Sequence, residues 1–144
     1  VNEREKGYQG AMTLSDIQRL LAELETHPTR SLGQNFLHDQ NLARWTVALL
    51  DIQPGDHIVE IGPGLGALTE FLVTPETRLT LIEKDSRLIS HLKAKFEHGT
   101  NRVFHADALE FDLRELWGHG PVKIIGNLPY YISTPLIAKY ASAL

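Results

Sequence analysis

The four residues Ile58-Val59-Glu60-Ile61 run straight into Gly62-Pro63-Gly64-Leu65-Gly66, and this junction restricts the fold more than any other stretch of the chain. A short β-rich run ending in glycines is how a buried parallel strand hands over to a ligand loop. Glycine lets the backbone turn sharply and come close to a bound molecule. The segment after it, residues 67–73, reads as a helix whose free N–H groups can face a negative group. The spacing is G-x-G-x-G, so the G-x-G-x-x-G fingerprint of dinucleotide-binding proteins is not met. A plain structural turn also explains such a loop taken alone, so the loop's partners along the chain have to decide.

The elements around it alternate. A polar, aperiodic leader occupies residues 1–11. It precedes a short amphipathic helix, capped by Thr13 or Ser15, with Ile17, Leu20, Leu21 and Leu24 on one face. After a loop of small and amide residues (31–39), Asp39 can cap a second helix carrying Leu42, Trp45, Leu49 and Leu50. Strands are then predicted at 58–61, 79–83, 102–106 and 122–125. Helices are predicted at 67–73 and at 86–98, the latter with Leu88, Ile89, Leu92 and Phe96 on one face. A further helix begins at Pro135. The segment 109–120, with Phe111, Leu113, Leu116 and Trp117, reads as a partly helical cover over the core. This alternation predicts a parallel sheet with right-handed crossovers, whose ligand loops gather at the carboxyl ends of the strands.

Those ends carry the informative side chains: Gly62, Glu83, Asp107 and Asn127. Glu83 lies at the expected separation of about 20 residues beyond the glycines for an acid that accepts hydrogen bonds from both ribose hydroxyls. Asp107 can accept from an adenine amino group, and the small Ala108 leaves room for the ring. As isolated residues these would be a solvated acid and a turn aspartate; together with the loop they describe an adenosine-containing cofactor. Glu60, inside the first strand, needs a partner, and could orient the glycine loop or meet a cationic ammonium. At the fourth end, Asn127-Leu128-Pro129-Tyr130 supplies a side-chain oxygen and a backbone carbonyl that can both accept from an exocyclic amine. Pro129 restricts the residue before it, and Tyr130 offers a stacking face. Localising the lone pair of such an amine and positioning it are the catalytic needs, with no strong base required.

Bulk composition adds exclusions. The 144 residues, 42% hydrophobic and 22% charged, suit one ordinary globular domain. Cysteine is absent, which excludes disulfides, thiolate metal sites and cysteine nucleophiles. The 7 histidines show no ligand-like spacing and read as surface or locally bonded groups, so no metal is expected. Trp45 and Trp117 read as core, and Lys93 and Lys95 as a solvated helix face. No membrane span or signal leader is recognisable, which points to a cytoplasmic protein. The net charge of −4 gives no general footprint for nucleic acid, so any such claim rests on the site.

Four blocks, SLGQNFLHD (31–39), VEIGPGLGALT (59–69), IEKD (82–85) and GNLPYYISTPL (126–136), with the looser HADAL (105–109), carry a resemblance. The chain resembles the S-adenosylmethionine-dependent small-subunit ribosomal RNA adenine N6,N6-dimethyltransferases, the KsgA family, over roughly residues 13–144, the N-terminal catalytic portion. The resemblance implies an α/β, Rossmann-like methyltransferase fold and cofactor contacts at Asn35, Leu37, Gly62, Glu83, Asp107 and Asn127. It implies that Asn127, Leu128, Pro129 and Tyr130 form the catalytic segment. The implied substrate is a pair of adjacent adenosines near the 3′ end of small-subunit rRNA in the assembling subunit.

On this reading residues 1–30 are a leader and short helix, and 31–144 the methyltransferase domain. The domain is expected to be cut short after the fourth strand and its following helix, without the family's later strands and C-terminal helical domain. RNA contacts to phosphate supply most affinity in such enzymes, so the 144-residue chain is expected to bind cofactor but methylate weakly or not at all. The rival readings are a large-subunit rRNA methyltransferase of the antibiotic-resistance type, a non-catalytic nucleic-acid-binding relative, and, more distantly, an NAD-dependent oxidoreductase.

Overall fold

The computed structural model describes residues 39–126 and Lys139. The chain divides into two compact units, Val1–Asp51 and Ile52–Leu144. The leader, the first helix, Asn35 and Leu37 lie outside the described residues, as do Asn127, Leu128, Pro129, Tyr130 and the start of the last helix.

In the first unit, helix α1 spans Gln40–Ala48, and Asp39 caps it as its sequence position requires, accepting from the Leu42 amide at 3.0 Å. Its buried residues are Leu42, Ala43 and Val47. Leu49, expected within the helix, is instead its C-cap residue and is exposed, because the helix stops one residue before it.

The second unit is built on a four-stranded, all-parallel sheet. Strands β1 (His57–Ile61), β2 (Arg78–Glu83), β3 (Arg102–His105) and β4 (Val122–Gly126) lie in the order β3-β2-β1-β4. The α-helices between them are α2 (Thr69–Leu72), shorter than the seven-residue helix expected, and α3 (Ser86–Phe96). All five residues of β1 are buried, the pattern of a central parallel strand covered on both faces. Side chains alternate along it. Val59 and Ile61 join Ile82, Ala108, Phe111, Leu113 and Leu116 in one core cluster, whereas Ile58 and Glu60 project to the other face. The 3₁₀ turn Leu113–Leu116 is the expected cover of the core, and each fully buried aliphatic side chain there contributes roughly 1.5–3 kcal/mol. Trp117 corrects the reading as core: it is 57% exposed, since the turn ends one residue earlier and the chain leaves for β4.

Helix α3 packs against β2 and β3, burying Leu92 and Phe96 and half-burying Leu88 and Ile89, the face its spacing predicts. At its C-terminal end the Glu97 carboxylate accepts from the Val103 amide at 2.8 Å, tying the helix end to β3. Lys93 and Lys95 are exposed as expected, with Lys95 paired to Glu70. His57 departs from the expectation of a surface or locally bonded group. It sits in β1, 1% exposed, with Nε2 2.6 Å from Thr80 Oγ1 on the neighbouring strand, and burial pushes its pKa down.

Candidate cofactor site

Three consecutive strand ends in space, β3, β2 and β1, bring Asp107, Glu83 and the glycine loop side by side. The loop needs its glycines. Gly62, Gly64 and Gly66 have φ of 69°, 61° and 91°, in the left-handed region that side chains rarely enter. Gly62 N–H donates to the Ile82 carbonyl at 2.9 Å, so the turn starts while still bonded to β2. Around Gly64 nothing lies within 4 Å of where a Cβ would stand, which leaves its backbone open to a ligand.

Glu83 ends β2 and is 6% exposed. Its Oε1 accepts from the Gly64 amide at 3.0 Å and its Oε2 from the Asp85 amide at 2.7 Å. The carboxylate therefore fixes the loop after β1 and the cap of α3 at once. Each oxygen keeps a second lone-pair direction for a ligand hydroxyl. Asp85 caps α3 through the Arg87 amide and pairs with the Arg87 guanidinium, whose hydrogen bonds hold the Asp85 carboxyl at about 2.

Asp107 stands two residues beyond β3 rather than ending it, because the strand closes at His105. The Ala106 amide still donates to the Glu83 carbonyl at 3.0 Å, which keeps the two acidic positions adjacent. Asp107 Oδ1 accepts from the Leu109 amide at 2.9 Å, an aspartate turn, while Oδ2 lies 3.5 Å from Lys84 Nζ. Ala108 behind it is buried.

Glu60, whose partner sequence reasoning left open, accepts from Thr69 Oγ1 at 2.5 Å. This bond joins the middle of β1 to the first residue of α2 and so spans the whole glycine loop. Neither Thr69 nor Asp85 stood out in the sequence; the signal for Thr69 was its place just past the loop, facing an acid in need of a partner. Burial, reinforced by the nearby Glu83 charge and opposed by the Thr69 hydroxyl, pushes the Glu60 pKa from an ordinary 4.5 up to about 7. The folded chain thus holds a proton that the unfolded chain has released between those two values. Stability supplied by protonated Glu60 is full below pH 4.5 and is lost as pH rises through 7. Glu60→Gln should remove that loss. Urea denaturation should find the variant more stable than the unsubstituted chain at pH 8, by on the order of 1–2 kcal/mol, with little difference at pH 5. A gap that widens toward acid would contradict this.

Among the described residues no three His, Asp or Glu side chains gather as metal ligands, and no helix is long and apolar enough to cross a membrane.

A parallel sheet in this order, with a glycine loop on β1, an acid at the end of β2 and another just beyond β3, is a Rossmann-like methyltransferase fold. The ribosomal RNA adenine dimethylase model matches residues 26–143, and the chain belongs to that family, whose members are S-adenosylmethionine-dependent. Curated relatives named ribosomal RNA small subunit methyltransferase A are similar to it. The protein from Marinobacter nauticus is 48% identical over 75% of this chain and 40% of its own length. The one from Prosthecochloris aestuarii is 44% identical over 76% and 41%, and that from Francisella tularensis 42% identical over 81% and 46%. The chain thus spans less than half the length of these relatives. Among solved structures, a dimethyladenosine transferase from Plasmodium falciparum has a TM-score of 0.61 at 30% identity, covering 72% of this chain and 37% of that one. The 23S rRNA methyltransferase ErmE has a TM-score of 0.59 at 26% identity, covering 69% and 40%.

Proposed function

We propose that the chain is the catalytic portion of an rRNA adenine N6,N6-dimethyltransferase that uses S-adenosylmethionine. The observation that carries this is the Glu83 carboxylate, buried at the end of β2 and locked to the Gly64 and Asp85 amides, with Asp107 just beyond the end of the adjacent strand. The residues present fit the cofactor. Glu83 would take the ribose hydroxyls, Asp107 the adenine amino group beside the small Ala108, and the glycine loop at Gly62 and Gly64, open around Gly64, the remainder of the molecule.

When bound, S-adenosylmethionine supplies an electrophilic methyl group on a sulfonium. The chain's task is to present the nucleophile. Gly126, level with Ile61 at the end of β1, is the last described residue before Asn127. In our reading the Asn127 amide oxygen and the Leu128 carbonyl accept from the substrate amine, Pro129 holds that carbonyl, and Tyr130 stacks on the base. The amine nitrogen becomes more nucleophilic as its hydrogens are held, and it loses a proton once the new N–C bond has formed. A singly methylated amine keeps one N–H for the same acceptors, so a second transfer is possible. Asn35 and Leu37 are proposed to complete the cofactor contacts, and residues 31–144 to form the methyltransferase domain after a 1–30 leader.

The substrate we favour is small-subunit rRNA in the assembling subunit, in the cytoplasm, because the curated relatives at 42–48% identity all carry the small-subunit name. The likeness to ErmE supports the second reading, a large-subunit rRNA methyltransferase. Calorimetry with S-adenosylmethionine and with NAD separates a methyltransferase from an oxidoreductase. Label transfer by a version extended to the relatives' full length, offered unmethylated small or large subunits, then separates the two RNA readings. Binding of NAD alone would overturn the proposal, and labelling confined to large subunits would install the second reading.

A further inference from the structure

One described residue beyond β4 belongs to no motif of the sequence and yet reaches the cofactor site. Lys139 Nζ donates to three carbonyls of one loop, those of Ala108 at 3.3 Å, Leu109 at 2.5 Å and Phe111 at 2.9 Å. A lysine ammonium has three donors and no acceptor, so this arrangement uses all of them. The accepting oxygens lie in the turn that directly follows Asp107, outside any helix or strand. Phe111 is buried, so its carbonyl would be hard to satisfy with water once the ammonium is lost.

From the other side the same turn is held by Asp107 itself. Its carboxylate accepts from the Leu109 amide and its carbonyl from the Glu110 amide at 2.9 Å. The Asp107 carboxylate is thus placed by a turn whose amides it fixes and whose carbonyls Lys139 fixes. We infer that Lys139 is a positioning residue for cofactor recognition, setting the turn that presents Asp107 and Ala108 to the 6-amino group and ring of an adenine. The inference rests on the cofactor reading above and adds a residue to it. It also joins the adenine side of the site to a stretch of chain downstream of Asn127-Leu128-Pro129-Tyr130.

The test uses two probes, S-adenosylhomocysteine and its analogue with hydrogen in place of the 6-amino group, titrated calorimetrically into the 144-residue chain and its variants. Lys139→Met should weaken S-adenosylhomocysteine by about tenfold and the analogue by less than about twofold, since only the former uses the Asp107 carboxylate. Lys139→Arg keeps the charge but spreads its donors over a planar fork. It should lose about threefold for S-adenosylhomocysteine with the analogue unchanged, and it carries the test if the methionine variant does not fold. An equal loss for both probes, or no loss for either, overturns the positioning role while leaving the cofactor reading intact. Failure of the unsubstituted chain to bind S-adenosylhomocysteine overturns the cofactor reading, and this inference with it.

Discussion

Replacing Glu83 with alanine should weaken S-adenosylmethionine binding by roughly a hundredfold or more, the sum of two charge-assisted hydrogen bonds to ribose hydroxyls and the order they depend on. The second part comes from the geometry. The carboxylate accepts from the Gly64 and Asp85 amides, so its removal frees the loop after β1 and the entry to α3 together. Glu83→Gln should not rescue binding. An amide keeps the size but turns an NH₂ group toward one of those two N–H donors, and it offers one acceptor oxygen where two are used. Calorimetry on both variants, with circular dichroism to verify the fold, checks this. A loss below about threefold for Glu83→Ala would remove the residue from the site. The substitution has a second readout. The Glu83 charge is one of the influences that raise the Glu60 pKa, so in the variants Glu60 should titrate lower, which carboxyl NMR can follow.

Gly66→Ala should cost about 3 kcal/mol of stability, because two independent penalties meet there. Its φ of 91° lies at the edge of the left-handed region, and an added Cβ would stand 2.7 Å and 2.9 Å from the Cε2 and Cζ atoms of Phe96. Phe96 is 4% exposed at the end of α3 and has little room to yield. Gly64→Ala is the control: its φ of 61° is strained but nothing lies within 4 Å, so it should cost only about 1 kcal/mol. Adding Phe96→Leu to Gly66→Ala should recover part of the loss, compared with Phe96→Leu alone, through the steric share only. Equal costs for the two glycine substitutions in urea denaturation would show that the ring contact is unimportant. The third glycine of the loop thus serves packing, whereas the second has nothing within 4 Å of its Cβ position.

Much of this was readable from residues alone. Strand positions followed from short β-rich runs bounded by glycine and acid, and the helix at Gln40–Ala48 from its aspartate cap. The acids at the end of β2 and just beyond β3 could be assigned because parallel topology sends all strand ends the same way. What could not be read was long-range pairing. Thr69 is marked only by its place just past the loop, and Lys139 has no spacing that ties it to residues 108–111, since both bonds exist only after the crossovers are made. The same holds for His57, whose burial beside Thr80 depends on the register of β1 against β2. Helix ends were misjudged where apolar residues continued past the last turn. Leu49 and Trp117 both look like core in a pattern, yet both lie just beyond the point where their element stops.

Over all five of its residues β1 is bordered by β2 on one side and β4 on the other. Its amides, with those of Thr80–Ile82 in β2, are therefore exposed only when the sheet itself comes apart. In deuterium exchange they should be the last to acquire label, and β3, paired on one side among the described residues, should acquire it earlier. The glycine loop grows out of the slow strand and Asp107 out of the fast one. A ligand bridging the two would change the protection of the slow strand little and that of the fast one greatly, so the adenine end of the site is where occupancy would be visible.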